Sequence, residues 1–588
     1  MHKIRSIRFA VARSIVILMY LMPVRTSAQS TSSIEVNIGR IADSLFAKDF
    51  AAHRFTSAAF VFVRDTSVGY AKGYGEADAI RHTKVDPSRT VYRIASISKL
   101  FAATAVMQLA EEGKLDLHAD INLYLKTFQL EKRYGQPVTA ASLLTHTSGL
   151  ENRALGSIAR NSGDLVPLGS YFSTHPPHVD AEPGSQFSYS NNGIGLAGYL
   201  VEAVSGERFD DYVEKHILKP LGMTSASFRQ PVPEDLVSRM AGGKRTQRAP
   251  LFNPYPAGAL MATPMDMSRF IIAQLNGGTV GGQRMLGAPM LDEMQRTQWT
   301  AHAGAPGAAY GFFEGTMRGH RILFHTGDSG HHGIIVIVPE LRIGLYAVYD
   351  TQDDGSHEMM ETLTRAIVNQ YPAGAVDSLI PPPRSDVRGH VQRYAGVYGA
   401  NGADPHTIEK AAGLMQQVIV SDNGDGKLRL TPSAFDAITA TEIEPDLFRG
   451  SDGSWVAFSR NVKSEGPAEG MTVTGGISDP FAVHRIPWYA DARLHRVVLG
   501  AGLAAILSRI IVAVVGLIRR KRPASKSGLA SLGWRLSGLL SICVLLIPPS
   551  LFAGFAMNRP PIVALPGGVK VALGLLLIAS IVALSMPV

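Results

Sequence analysis

Residues 58–63 form an unbroken apolar run, and residues 68–75 resume β character a few positions later; together they read as a strand hairpin. Before them, 38–50 spaces its apolar residues as an amphipathic helix does. A second helix is predicted from the spacing of Leu100, Ala103, Val106, Met107 and Leu109, with a stop at Glu112-Gly113. Helix and loop then alternate until β patterning returns at 311–313, 321–325, 333–338 and 344–349. Strands at both ends of this segment, with helices between, predict that the terminal strands meet in one sheet. The expected class is α/β with a helical insert.

Past residue 370 the pattern changes. Pro381-Pro382-Pro383 marks a linker over 376–387, and short alternating strands across 388–490 predict a small antiparallel β-domain. The turn-rich stretch Asp422-Asn423-Gly424-Asp425-Gly426 is like an EF-hand loop only in composition, because its ligand spacing is wrong. Within 494–588 three apolar runs, 497–518, 532–557 and 569–586, have about the length a bilayer requires of a helix. Arg519-Arg520-Lys521-Arg522 between the first two reads as a cytoplasmic flank.

At the other end, 1–28 combines a basic start, a short apolar core and Thr26-Ser27-Ala28, the three parts of a secretory signal with cleavage expected after Ala28. The two ends agree on topology. The expectation is a multi-pass protein of the cell (inner) membrane, with residues 29–490 facing the periplasm or the exterior and the lipid bilayer as a partner. Composition fits this reading: hydrophobic residues make up 46% and charged residues 18%, with the apolar excess at the ends. The net charge of +8 does not point to nucleic acid, because basic residues such as Lys3, Arg5 and Arg519 cluster beside apolar segments. The one cysteine, Cys543, lies in an apolar run, so neither a disulfide framework nor a thiol zinc site is expected.

The candidate chemistry starts at Ser96 and Lys99. Three residues apart at the mouth of a helix, their side chains share a face. A lysine whose charged form is disfavoured by burial can take the proton of a serine hydroxyl, and the helix N-terminus favours the developing anion. Alone, S-x-x-K is a weak signal. It has ordered company: Leu143-Leu144-Thr145-His146-Thr147-Ser148-Gly149-Leu150, Pro183 to Asn191 with Tyr189-Ser190-Asn191, Pro220-Leu221-Gly222-Met223, Pro256-Ala257-Gly258-Ala259-Leu260 and His325-Thr326-Gly327.

In that order the pieces resemble the serine β-lactamase and penicillin-binding-protein-like superfamily, in particular its class C β-lactamase-related branch. The resemblance covers about 36–370, within an expected domain of 29–375. It implies an antiparallel sheet with helices on both faces, a helical insert, and a lipocalin-like barrel or sandwich for 388–490. It also implies roles: Ser96 as nucleophile, Lys99 and Tyr189 exchanging its proton, and Asn191 holding Lys99 or substrate. Beside the lysine ammonium, the Tyr189 phenolate is expected to become accessible. The amides of Ser96 and Asp328 are the expected oxyanion donors.

One position departs from the family. Where β-lactamases carry a lysine that attracts a substrate carboxylate, this chain has His325, expected on an edge strand and offering one donor. That exchange weakens the case for a β-lactamase and favours an esterase or a D-amino-acid peptidase. Substrate contacts are expected from Asn191, His325, Thr326, Gly327 and Asp328.

Four histidines, His320, His325, His331 and His332, crowd the same region, yet H-E-x-x-H is absent and strand alternation sends His331 and His332 to opposite faces. No metal and no cofactor are expected. The G-x-S-x-G elbow is absent too, and His146 reads as a hydrogen-bonded loop residue. The expected activity is hydrolysis of an ester or amide in a small molecule or a peptide or cell-wall fragment, through an acyl-enzyme at Ser96. The rival is a penicillin-binding-like sensor or binding module that signals or scaffolds through its membrane helices.

Overall fold

The apolar run at 58–63 lies in the middle of a sheet, covered on both faces, as an unbroken run of strand-forming residues requires. The computed structural model describes residues 28–497 apart from 243–250, 352–355, 376–380, 385–390, 403–406, 433–436 and 461–465, together with a few isolated positions beyond. Helix α1 (Ala28–Ala51) leads into β1 (Phe55–Arg64), β2 (Ser67–Asp78) and the short β3 (Thr83–Lys84). The helical insert contains α2 (Lys99–Glu111), α3 (Asn191–Ser205) and α4 (Pro264–Leu275). Strands β4 (Phe313–Met317), β5 (His320–Asp328), β6 (His331–Val338) and β7 (Ile343–Thr351) then return to the sheet, and α5 (Ser356–Val368) closes this part of the chain.

The sheet order is β4-β5-β6-β7-β1-β2-β3, antiparallel throughout. The terminal strands do meet: Phe60 lies opposite Ala347 of β7 on one side and Lys72 of β2 on the other. Because strand side chains alternate, β1 feeds two cores. Phe60 and Phe62 point to the face covered by α1 and α5, with Phe46, Leu363 and Ile367. Val61 and Val63 point to the opposite face, where Phe101 of α2 stacks on Phe270 of α4 at 4.4 Å.

Eight further strands, β8 (Gly396–Ala400), β9 (Gln417–Asp422), β10 (Leu428–Pro432), β11 (Ile438–Glu444), β12 (Leu447–Gly450), β13 (Trp455–Ser459), β14 (Gly470–Thr474) and β15 (Phe481–Arg485), close into a barrel. Closure comes from β8 pairing with both β9 and β15, which leaves no open sheet edge. The interior is filled by side chains: Tyr394, Tyr398, Phe448 and Phe458 contact one another with ring centroids 4.7–6.1 Å apart. The barrel also packs against the first body. Ile477 and Ala482 belong to the core that contains Phe313 and Phe324, and Asn401 Nδ2 donates to the carbonyl of Phe187 at 3.1 Å.

Residues 1–27 of the expected signal segment, the second and third predicted spans and all but a few isolated positions of the first lie outside the described residues. Among the described residues no helix is long and apolar enough to cross a membrane. Two large aromatic side chains just before the predicted spans, Trp488 and Tyr489, are exposed.

Candidate active site

Ser96 sits in a single 3-10 turn (Ala95–Ser98) that opens onto α2, so Lys99 is the first residue of the α-helix proper. The turn is pinned from outside. Ile94 N–H donates to the Leu260 carbonyl at 3.1 Å, and Leu260 N–H donates to Ser98 Oγ at 3.0 Å. Ala95, immediately before Ser96, has φ of +48°, a left-handed conformation that a β-carbon disfavours. Such a backbone persists only where its surroundings over-determine it.

Three groups converge on Ser96 Oγ and on the amine beside it. Lys99 Nζ lies 2.9 Å from Ser96 Oγ, 2.8 Å from Asn191 Oδ1 and 2.7 Å from the carbonyl of Ala257. Tyr189 donates its phenolic proton to Ser96 Oγ at 2.7 Å. The lysine is wholly buried, and burial pulls its pKa down to about 7 against a smaller opposing pull from the Asp479 carboxylate. Asn191 Oδ1 and the Ala257 carbonyl can only accept, so they hold two N–H bonds in either protonation state. Once the third proton leaves, the lone pair of Lys99 therefore points at Ser96 Oγ.

Tyr189 departs from expectation. Burial, and then the negative charge of Asp479, push its pKa up; the hydrogen bond to Ser96 opposes them only weakly. The side chain is a phenol and a proton donor, although Lys99 Nζ lies 4.9 Å from its ring centroid. Of the two groups, Lys99 is the one whose pKa is brought to where it can take a proton near neutral pH.

Tyr189 is placed by its neighbours. Ser190 caps α3 by accepting from Gly193 N–H at 3.0 Å, which sets Tyr189 just outside the helix and Asn191 at its first position. The ring of His146 stacks on that of Tyr189 at 4.6 Å, and His146 Nδ1 accepts from Ser190 N–H at 3.1 Å. Burial first, then the charge of Lys99, hold His146 well below the usual histidine range. It is a neutral hydrogen-bonded loop residue, as read from the sequence.

The His325-Thr326-Gly327-Asp328 segment is not on an edge strand, as expected, but on β5, second in the sheet. β4 ends opposite Phe324, so the edge it leaves uncovered begins at His325. Gly327 packs against the nucleophile turn: a β-carbon there would stand 2.2 Å from the carbonyl oxygen of Ile94. Gly327→Ala must therefore push strand and turn apart. The expected result is a loss of about a hundredfold in kcat with any activated ester, because displacements of about 1 Å at a reacting centre cost that much. A loss below threefold would show that the contact does not position Ser96.

His325 is buried and does not present its donor to the cleft mouth. Its Nδ1–H is spent on the carbonyl of Thr326 at 2.7 Å, and its ring stacks on Phe313 at 4.8 Å. Burial, with the Lys99 charge second, lowers its pKa to about 3, so it is neutral. The other histidines face elsewhere. His320 bonds to Glu340 and to the Pro372 carbonyl, His331 Nδ1 accepts from Arg93 N–H at 3.0 Å, and His332 Nε2 lies 3.3 Å from Asp328.

Two participants were missed from the sequence. The Ala257 carbonyl lies in the Pro256–Leu260 match, which signalled importance without a role. Asp479 had no signal at all. It lies between β14 and β15 of the barrel, and its carboxylate accepts from Thr326 Oγ1 at 2.6 Å.

Comparison with known proteins supplies the context. A family model described as Beta-lactamase matches residues 42–370. Protein flp of Staphylococcus aureus (strain MRSA252) is 26% identical over 351 residues, which span 58% of this chain and 68% of that protein. PbpX of Bacillus subtilis (strain 168) is 32% identical over 228 residues, 38% of this chain and 55% of that one. Among solved structures, that of SurE superposes with a TM-score of 0.54 at 21% identity, covering 77% of this chain and 99% of its own. That share exceeds the first body, so the likeness of fold takes in the barrel as well.

Proposed function

Because the chain belongs to the Beta-lactamase family, we propose that it is a serine hydrolase that opens an ester or amide carbonyl through an acyl-enzyme on Ser96. The observation that carries this reading is the joint approach of Lys99 Nζ and Tyr189 OH to Ser96 Oγ, with the lysine near pKa 7. Ser96 Oγ attacks the carbonyl carbon while neutral Lys99 takes its proton. The oxyanion is held by the amides of Ser96 and Asp328. As the bond to the leaving alcohol or amine breaks, that group takes a proton from Tyr189, which the Lys99 ammonium restores. Water then attacks the acyl carbon and gives a proton to Lys99. The carbon–Oγ bond breaks and Ser96 regains its proton.

An esterase or a D-amino-acid peptidase fits better than a β-lactamase. A buried neutral His325 stands where a lysine would attract the β-lactam carboxylate. Fluorophosphonate and penicillin probes, with the adduct mapped by mass spectrometry, test the reading. A fluorophosphonate adduct on Ser96 is expected; an adduct elsewhere, or none, overturns it. The lifetime of the acyl group separates an enzyme from a sensor, since a sensor would hold it without turnover.

The hydrolase body is proposed to sit outside the cytoplasm, anchored by 494–588. Support comes from the signal-like start, the apolar runs and the exposed Trp488 and Tyr489 beside the first of them, aromatic residues suited to a membrane interface. After expression and an alkaline carbonate wash, the chain should remain with the membrane pellet; recovery in the supernatant would exclude the anchor.

A further inference from the structure

One of the barrel segments that reach the reacting centre is the loop between β14 and β15, and it is firmly seated. Ile477 is buried among the side chains that include Phe313 and Phe324. The carbonyl of Gly476 lies so close to Gly315 that a β-carbon on the latter would stand 2.2 Å from it. Two residues beyond Ile477, the Asp479 side chain is exposed to solvent while its Oδ1 accepts from Thr326 Oγ1 at 2.6 Å. Thr326 precedes Gly327, the residue in contact with the nucleophile turn. The carboxylate also acts electrostatically on both Lys99 and Tyr189. It is therefore a fixed, solvent-facing anion within reach of the acyl-transfer centre, and Asp328 adds a second carboxylate on the same segment of β5.

An incoming substrate meets these carboxylates, and His325, buried and neutral, offers no opposing charge. Resting on the acyl-enzyme reading above, we propose that Asp479 is a specificity-determining residue: it favours substrates that carry an ammonium group close to the scissile carbonyl and turns away those that carry a carboxylate there. The ammonium can belong to the acyl part, as in an aminoacyl amide or ester, or to the leaving group; the chemistry recognised is the same. The alternative use of such a loop, as a plug that suppresses all turnover, fits less well, because a buried Ile477 fixes the loop in place.

Two substrate series on the full-length protein separate these cases. On the acyl side are D-alanyl p-nitroanilide with a free amine, its N-acetyl form and its N-succinyl form. On the leaving side are the acetyl thioesters of thiocholine, N-acetylcysteamine and 3-mercaptopropionate. In at least one series, wild-type kcat/KM should favour the cationic member over the neutral one by about fivefold, the upper end for one solvent-exposed charge pair, and the carboxylate should be the poorest. Asp479→Asn keeps an acceptor for Thr326 and should shrink the cation preference, read as the ratio of cationic to neutral kcat/KM, to within about twofold, whatever common change the loss of its charge beside Lys99 makes to all members of the series. The wild-type preference should also fall as salt is raised from 0.05 to 0.5 M, a readout that needs no variant.

Absence of a cation preference in wild type, or an unchanged preference in Asp479→Asn, overturns the assignment. An equal rise for all three charges in the variant overturns it in favour of a plug. If wild type forms the Ser96 fluorophosphonate adduct and cleaves the neutral thioester, those failures leave the acyl-enzyme reading standing. If it does neither, both readings fall.

Discussion

Replacing Ser96 with alanine is expected to lower kcat/KM for any activated ester by at least about a thousandfold, down to what the oxyanion donors and binding alone provide. No other hydroxyl takes its place: Tyr189 is held protonated by burial and by Asp479, and its proton points at the vacated position. The fold should persist, since the turn is held by backbone bonds from Ile94 and by the Ser98 hydroxyl, neither of which involves the Ser96 side chain. The checks are steady-state hydrolysis of p-nitrophenyl acetate and a thermal melt. Activity within tenfold of wild type, with an unchanged melt, would remove Ser96 from the mechanism.

Lys99→Met keeps the length of the side chain and removes the base. A loss of about a thousandfold or more in kcat/KM is expected, in the upper half of the 10²–10⁴ span usual for one acid–base group, because the same amine also orients Ser96 Oγ. In the wild type, only neutral Lys99 accepts the proton. The rate should therefore rise about tenfold per pH unit below about 7 and level off above it. A flat profile from pH 5 to 8 would identify a different base.

Stability follows the same group with a definite sign. The folded pKa lies below the ordinary lysine value of about 10.4, so the unfolded chain binds more protons between the two. The penalty for burying the ammonium is full below about pH 7 and fades as pH rises towards about 10.4. Losing the donor to Asn191 Oδ1 and Ala257 O offsets part of the gain from removing that charge. Relative to wild type, Lys99→Met should thus melt higher at pH 6 than at pH 9.5; the reverse trend would contradict a buried, depressed lysine.

Much of this was legible along the chain, for local reasons. Ser96 and Lys99 lie one helical turn apart, so their proximity is nearly independent of what packs around them. Tyr189 and Asn191 flank the start of α3, where Ser190 caps it, and the short spacing again carries the geometry. The strand runs at both ends of the first body announced a shared sheet, because an apolar run such as 58–63 must be covered on both faces.

Other features depend on neighbours that are distant in sequence. Whether His325 faces the cleft or the interior is decided by Phe313 on the adjacent strand and by the carbonyl that takes its donor. Whether Tyr189 serves as base or donor turns on burial and on a carboxylate from the barrel. The lysine's third partner, Ala257, comes from a loop 158 residues away.

By itself the sequence determined that Ser96, Lys99 and Tyr189 belong to one site, the sheet built from both ends of the first body, and the apolar segments at the chain's ends. Short spacings and hydrophobic period encode these directly. Only the tertiary structure decided that burial lowers the pKa of Lys99 and raises that of Tyr189, that His325 is buried and neutral, and that Asp479 of the barrel meets Thr326 across 153 residues of chain. The physical reason is that pKa values and cleft charge are set by burial and by fields from groups brought together in space. A periodic pattern along the chain records which face is apolar; it does not record what that face, or the cleft beside it, will meet.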